Sequence, residues 1–127
     1  MLAVSCFIAR SDTRYPTALA AIADPPPVLW IRGDPEALRA PTVAIVGSRA
    51  GSAYARDVGR ELGSGLARCG VTVVSGLARD VDSAAHRGAL AVDGRTVGVL
   101  GSGVDIMYPS EHSGLARDVI RRRGARE

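Results

Sequence analysis

Residues 43–49 read Val-Ala-Ile-Val-Gly-Ser-Arg, and the rest of the chain is organised around them. Four apolar residues, three of them β-branched, run straight into Gly47, Ser48 and Arg49, with Ala50, Gly51 and Ser52 following. A short continuous apolar run of this kind predicts a buried parallel strand, and the glycine after it predicts a tight turn into a helix. Such a turn aims backbone N–H groups and a helix N-terminus at one spot, which suits an anion such as phosphate. Arg49 adds a permanently charged fork that matches phosphate oxygens.

Downstream, the pattern returns twice. A second strand is expected over residues 71–74, ending at Ser75 and Gly76. A third is expected over 96–100, ending at Gly101, Ser102 and Gly103. Between them lie helical stretches: about 52–69, with Val58, Leu62 and Leu66 proposed as the buried face; from Asp82 or Ser83 to about Val92; and about 111–123, with Leu115, Val119 and Ile120 facing inward. Gly70, Gly94 and Gly124 stand where helices should end.

Upstream, residues 1–12 show no clear period. A short helical stretch at 17–23 is stopped by Pro25, Pro26 and Pro27. Residues 28–31 read as a short strand, and Asp34 before Pro35 reads as a cap for one helical turn. Residues 1–40 are therefore expected to be an N-terminal extension, and 41–127 a partial strand–helix unit. The fold class is α/β: a Rossmann-like, three-layer, doubly wound parallel sheet of which only the first half, βαβαβα, is present. A barrel of eight such units needs many more residues. In the doubly wound order a fourth strand lies beside residues 43–46. None is read after the last helix, which leaves that edge open.

Composition narrows the function classes. The chain of 127 residues carries a net charge of +3, and all sixteen of its basic residues are Arg. That balance mildly favours a polyanionic partner, although a charge of this size is ordinary. Cys6 and Cys69 lack metal-ligand spacing, so no metal, cofactor or disulfide framework is expected. The apolar run at 2–9 is too short to span a membrane and lacks the basic flank of a signal peptide, so a cytoplasmic protein with no membrane partner is expected.

Ligands of open α/β sheets bind at the carboxyl ends of the strands. Three small-residue turns in register there, the first followed by Arg49, favour a phosphate-type ligand. Neither the 47–52 stretch nor the 101–106 stretch is GxGxxG, and a chain without Lys has no Walker lysine, which argues against dinucleotide and P-loop readings. Plainer roles stand beside the functional ones. Arg49 also fits a solvated helix start. Asp82 reads as the helix N-cap and His86 as structural, since no nucleophile is placed to need a base. Arg121, Arg122 and Arg123 suit a helix C-terminus.

Read in order, these pieces resemble one family: Asp24-Pro25-Pro26, Trp30-Ile31-Arg32-Gly33, the 43–49 run, Ser75-Gly76-Leu77-Ala78, Asp82 with Ala85-His86, and Gly101-x-Gly103 with Tyr108-Pro109. The set resembles the DNA-processing protein A family (DprA, or Smf) over about residues 15–124. The resemblance implies an extended Rossmann fold and single-stranded DNA binding. It also implies RecA loading during natural transformation, no enzymatic activity and no cofactor. Gly47, Ser48 and Arg49 would hold a DNA phosphate, with Ser75, Gly76, Gly101, Ser102 and Gly103 lining the same pocket. Two departures stand out. Asp80 occupies a position where the family usually has Gly, and the family's downstream stretch, which completes its basic pocket, sheet and homodimer surface, is not in this sequence. Two other readings remain: a nucleotide-binding relative of the LOG phosphoribohydrolases, whose glycine-rich catalytic loop is not found here, and a non-functional truncated remnant.

Overall fold

Val73 and Val74 stand side by side and pack into different cores, as neighbours on a strand buried on both faces must. The computed structural model describes residues 6–48, 52–100, 113–121 and 125–126. The elements, in chain order, are β1 (Cys6–Ala9), α1 (Thr17–Ala20), β2 (Val28–Gly33), a 3₁₀ turn (Pro35–Leu38), β3 (Thr42–Ala44), α2 (Ala53–Arg68), β4 (Thr72–Ser75), α3 (Val81–Ala91), β5 (Thr96–Gly98), α4 (Ser113–Arg121) and β6 (Ala125–Arg126). They build one sheet in the order β1-β2-β6-β5-β4-β3.

The run from β3 to β6 is parallel, with Val43 opposite Val73, Val74 opposite Val97 and Val97 opposite Ala125. β2 closes against β6 antiparallel, and β1 lies antiparallel on β2. Two expectations are corrected here. Residues 6–9, which show no period, form a strand because Ile8 is buried only once β1 pairs with β2, a contact that local sequence does not encode. The fourth parallel strand is present as the two-residue β6, and it lies beside β5 rather than beside β3. The burial expected of the 43–46 strand is also corrected: β3 is the last strand of the sheet, Val43, Ala44 and Val46 are exposed there, and only Ile45 of the run is buried.

α2 and α3 pack together on one face, over Ile45 and Val73. The other face is covered by the 3₁₀ turn and the N-terminal segment: Ala37, Tyr15, Ile8, Leu29 and Ile31 surround Val97. The Tyr15 hydroxyl donates to the Pro26 carbonyl at 2.7 Å, which fixes the proline run against this core. The cap at Asp34 forms as read, its carboxylate accepting from Glu36 N at 2.9 Å. Gly70, at φ +80°, ends α2 in the left-handed conformation expected of it.

The buried face of α2 is not the one its large apolar residues suggest. Leu62 is half exposed, whereas Gly59 and Gly63 are buried. A Cβ at Gly63 would run into the Ala85 carbonyl, and one at Gly88 into the Arg60 carbonyl. The two helices thus approach backbone to backbone along small residues. Leu66, partly buried, is the one member of the expected stripe that joins this core.

Candidate functional site

Alignment of the three parallel strands brings their following turns to one edge. Ile45 N donates to the Val74 carbonyl at 2.9 Å, and Val99 N to the Ser75 carbonyl at 2.9 Å, so the pairing continues past the ends of β3 and β5. Gly47 and Ser48 lie exposed at this edge. A Cβ on Gly47 would come within 2.6 Å of the Val81 Cβ, so only glycine lets the chain turn here against the start of α3.

Ser75 and Gly76 are drawn inward. The buried Ser75 hydroxyl donates to the Ile45 carbonyl at 2.5 Å, tying the end of β4 to the segment after β3. Gly76 N donates to the Asp82 carboxylate Oδ2 at 2.9 Å. Both groups brace the edge from within the chain. Asp82 is therefore not the N-cap expected for it. The helix starts one residue earlier, and the carboxylate reaches back across the turn to hold Gly76. The second oxygen of Asp82 is buried and without a hydrogen-bond partner among the described residues. Arg49 and Gly101, Ser102 and Gly103, the other residues expected to line the pocket, lie outside the described residues, as does the turn at Tyr108 and Pro109.

His86 is fully buried, as a structural histidine should be. Its Nε2 accepts from Leu77 N at 3.3 Å, so the ring proton must sit on Nδ1 in the neutral form. Nδ1 lies 2.6 Å from the Thr96 hydroxyl, which donates in turn to the Val73 carbonyl at 2.8 Å. The chain of bonds links the turn after β4 to β5 and back to β4. Leu77, held at φ +59°, is the residue it pins.

The Asp80 departure has a local geometry. Asp80 adopts φ 62°, ψ −109° at the entry to α3, a backbone region that favours glycine. Its carboxylate accepts from Arg56 Nη1 at 3.0 Å, so the added negative charge is met by a guanidinium of the same chain. Arg56, Asp57 and Arg60 of α2 and Asp80, Ser83, Ala84 and Arg87 line a cleft of about 350 Å³ between the outer faces of α2 and α3. Sequence reasoning missed this cleft. Its signal was faint: Arg56 and Arg60 four apart on α2, and Asp80 and Arg87 two turns apart across the start of α3.

Among the described residues, no group of three His, Cys, Asp or Glu is placed to hold a metal ion, and no helix is long and apolar enough to cross a membrane. Cys6 and Cys69 are free thiols.

Parallel strands with small-residue turns along one carboxyl edge, covered by helices on one face and by an N-terminal hairpin segment on the other, define a Rossmann-like α/β protein. A sequence model of the family described as DNA recombination-mediator protein A matches residues 6–125, and the chain belongs to that family. It is 42% identical over 111 residues to protein Smf of Escherichia coli, covering 87% of this chain and 30% of that protein. It is 50% identical over 100 residues to the putative DNA processing protein DprA of Mycobacterium tuberculosis, covering 76% and 25% respectively. The crystal structure of DprA from Streptococcus pneumoniae superimposes with a TM-score of 0.85 at 33% identity, over 95% of this chain and 42% of the other. A structure of Helicobacter pylori DprA, described as giving insight into its unique single-stranded DNA binding mode, superimposes with a TM-score of 0.75 at 30% identity, over 87% of this chain and 51% of the other. The chain thus spans between a quarter and a third of the length of these two curated relatives.

Proposed function

We propose that this chain is a single-stranded DNA-binding part of a DprA/Smf-type protein, contacting phosphates at the carboxyl edge of β3, β4 and β5. The observation that carries this reading is the superposition on the Helicobacter pylori protein, at 30% identity over 87% of this chain. In this reading Gly47 and Ser48 offer backbone N–H groups, Arg49 supplies the guanidinium, and Gly101, Ser102 and Gly103 close the cradle from β5. Ser75 and Gly76 set the shape of the edge through their bonds to Ile45 and Asp82. Backbone donors and Arg recognise phosphate without reading bases, so binding is sequence-tolerant and salt-sensitive. The wider role we infer, supported by membership of the family, is DNA uptake in natural transformation, with RecA as the protein partner and a homodimer as the working form. No catalytic step is part of it.

The test is fluorescence anisotropy with labelled oligo-dT, comparing the chain with Arg49→Ala. Loss of a charge-assisted contact, about 1.5–3 kcal/mol, weakens binding at least about tenfold at low salt. Equal binding by the two proteins would contradict the assignment of the edge.

A further inference from the structure

The cleft between α2 and α3 is not used by the strand-edge site, yet it opens beside it. Its upper rim is Asp80, in the turn that leaves β4, and it descends along Arg60 and Arg87 on the outer sides of the two helices. The charges lining it are unequal. Arg56 is committed to Asp80 at 3.0 Å, which neutralises the acid nearest the edge. Arg60 and Arg87 are both exposed, and no ion pair is formed by either among the described residues. Asp57 is the one further carboxylate in the lining, so two exposed guanidinium groups face a single acid.

Close helix packing sets where the backbones of Arg60 and Arg87 lie. The Arg60 carbonyl packs directly on Gly88, and Gly63 on the Ala85 carbonyl, so the two helices meet backbone to backbone beside the cleft. Arg60 and Arg87, one on each helix, both line a cleft of about 350 Å³, which brings two positive charges to one opening with room for a phosphodiester group.

We propose that this cleft is a second phosphate-contacting surface, where Arg60 and Arg87 hold the backbone of a single strand as it leaves the strand edge. The inference rests on the reading of that edge as a DNA site, and it adds a path: past the Asp80–Arg56 pair and down between α2 and α3. A strand short enough to occupy the edge alone does not reach the cleft; a longer one does.

The experiment measures affinity against salt for oligo-dT of about 5 and about 20 nucleotides, one near the bottom of the ~4–16-nucleotide scale of single-strand sites and one beyond its top. It compares the unaltered chain, the double variant Arg60→Gln/Arg87→Gln, and Arg60→Lys/Arg87→Lys. Each phosphate contact contributes about 0.7 to the log–log salt slope on single strands, so the Gln variant should flatten the slope on the long strand by about 1.4. Its slope on the short strand should match that of the unaltered chain. The Lys variant, which keeps both charges, should keep the long-strand slope. An unchanged long-strand slope in the Gln variant, with edge binding intact, would overturn the cleft assignment alone and leave the cleft to a different polyanion, such as an acidic protein segment. A parallel loss on both lengths would overturn it too, by showing a general effect of the substitutions. Failure of the unaltered chain to bind either strand would refute the edge reading, and the cleft with it.

Discussion

Replacing Asp80 by glycine should stabilise the chain, although it removes an ion pair. At φ 62°, ψ −109° a side-chain-bearing residue carries strain of about 1–3 kcal/mol, which glycine does not. Against this stand two costs. Glycine has more freedom to lose on folding, about 0.5–1 kcal/mol. The bond to Arg56 at 3.0 Å joins side chains that are 47% and 21% exposed, and such a pair contributes about 0.2–1 kcal/mol. No capping bond is lost, because the Asp80 side chain makes none to the helix, and the bonds that Ser83 Oγ and Ala84 N donate to Asp80 use its main-chain carbonyl. The mid-values leave a net gain of about 0.5–1 kcal/mol, and at most about 2 kcal/mol. Asp80→Ala is the sharper comparison: it loses the same pair but keeps a Cβ in the strained position. The Gly variant should therefore exceed the Ala variant by about 1 kcal/mol or more. Urea denaturation reads this as a midpoint difference of roughly 0.5 M with unchanged slope. An Ala variant as stable as the Gly variant would refute the strained entry to α3.

Three further outcomes follow from the packing and the charges. Gly65→Ala, which meets open space on α2, should stabilise by up to about 1 kcal/mol, whereas Gly63→Ala should destabilise by about 1–3 kcal/mol against the Ala85 carbonyl; thermal melts of the pair check the close approach of α2 and α3. His86→Ala should cost at least about 2 kcal/mol, since it opens a cavity and leaves the buried Leu77 N–H without the ring nitrogen, and denaturant unfolding measures it. The Asp12 carboxyl is held at about 2, well below its usual range, chiefly by hydrogen bonds from the Arg14 side chain and N–H. A depressed pKa places its stabilising contribution above the ordinary carboxylate range and removes it as pH falls through about 2. NMR titration of the Asp12 side chain should show this low midpoint, and Arg14→Ala should raise it.

The parts of the fold that a local pattern can carry were legible. The β-branched runs and the glycines after them located β3, β4 and β5, and Asp34-Pro35 marked a cap that forms. What escaped depends on contacts between distant residues. β1 is a strand because Cys6 pairs with Ile31 and Ile8 with Leu29. The face of α2 was misread because large apolar residues draw attention, while the real contact runs through Gly59 and Gly63, which carry no hydrophobic signal. Asp82 looked like a cap because its type and position fit one. Only the folded turn shows that its carboxylate serves Gly76, six residues back. The glycine turns suggested an anion-binding edge, which stays a proposal; at that edge Ser75 Oγ and Gly76 N bond within the chain. The α2–α3 cleft needed the helix pairing before its arginines could be seen together.

In the proposed function, phosphates of single-stranded DNA meet this chain at the carboxyl edge of its parallel strands. Amide ¹H–¹⁵N NMR with a short oligo-dT at low salt tests it most directly. The expected result is a dispersed spectrum in which the amides of Gly47, Ser48, Arg49 and Gly101 to Gly103 shift on adding DNA, and return as salt is raised. A dispersed spectrum that ignores DNA, or shifts confined to residues far from that edge, would contradict it.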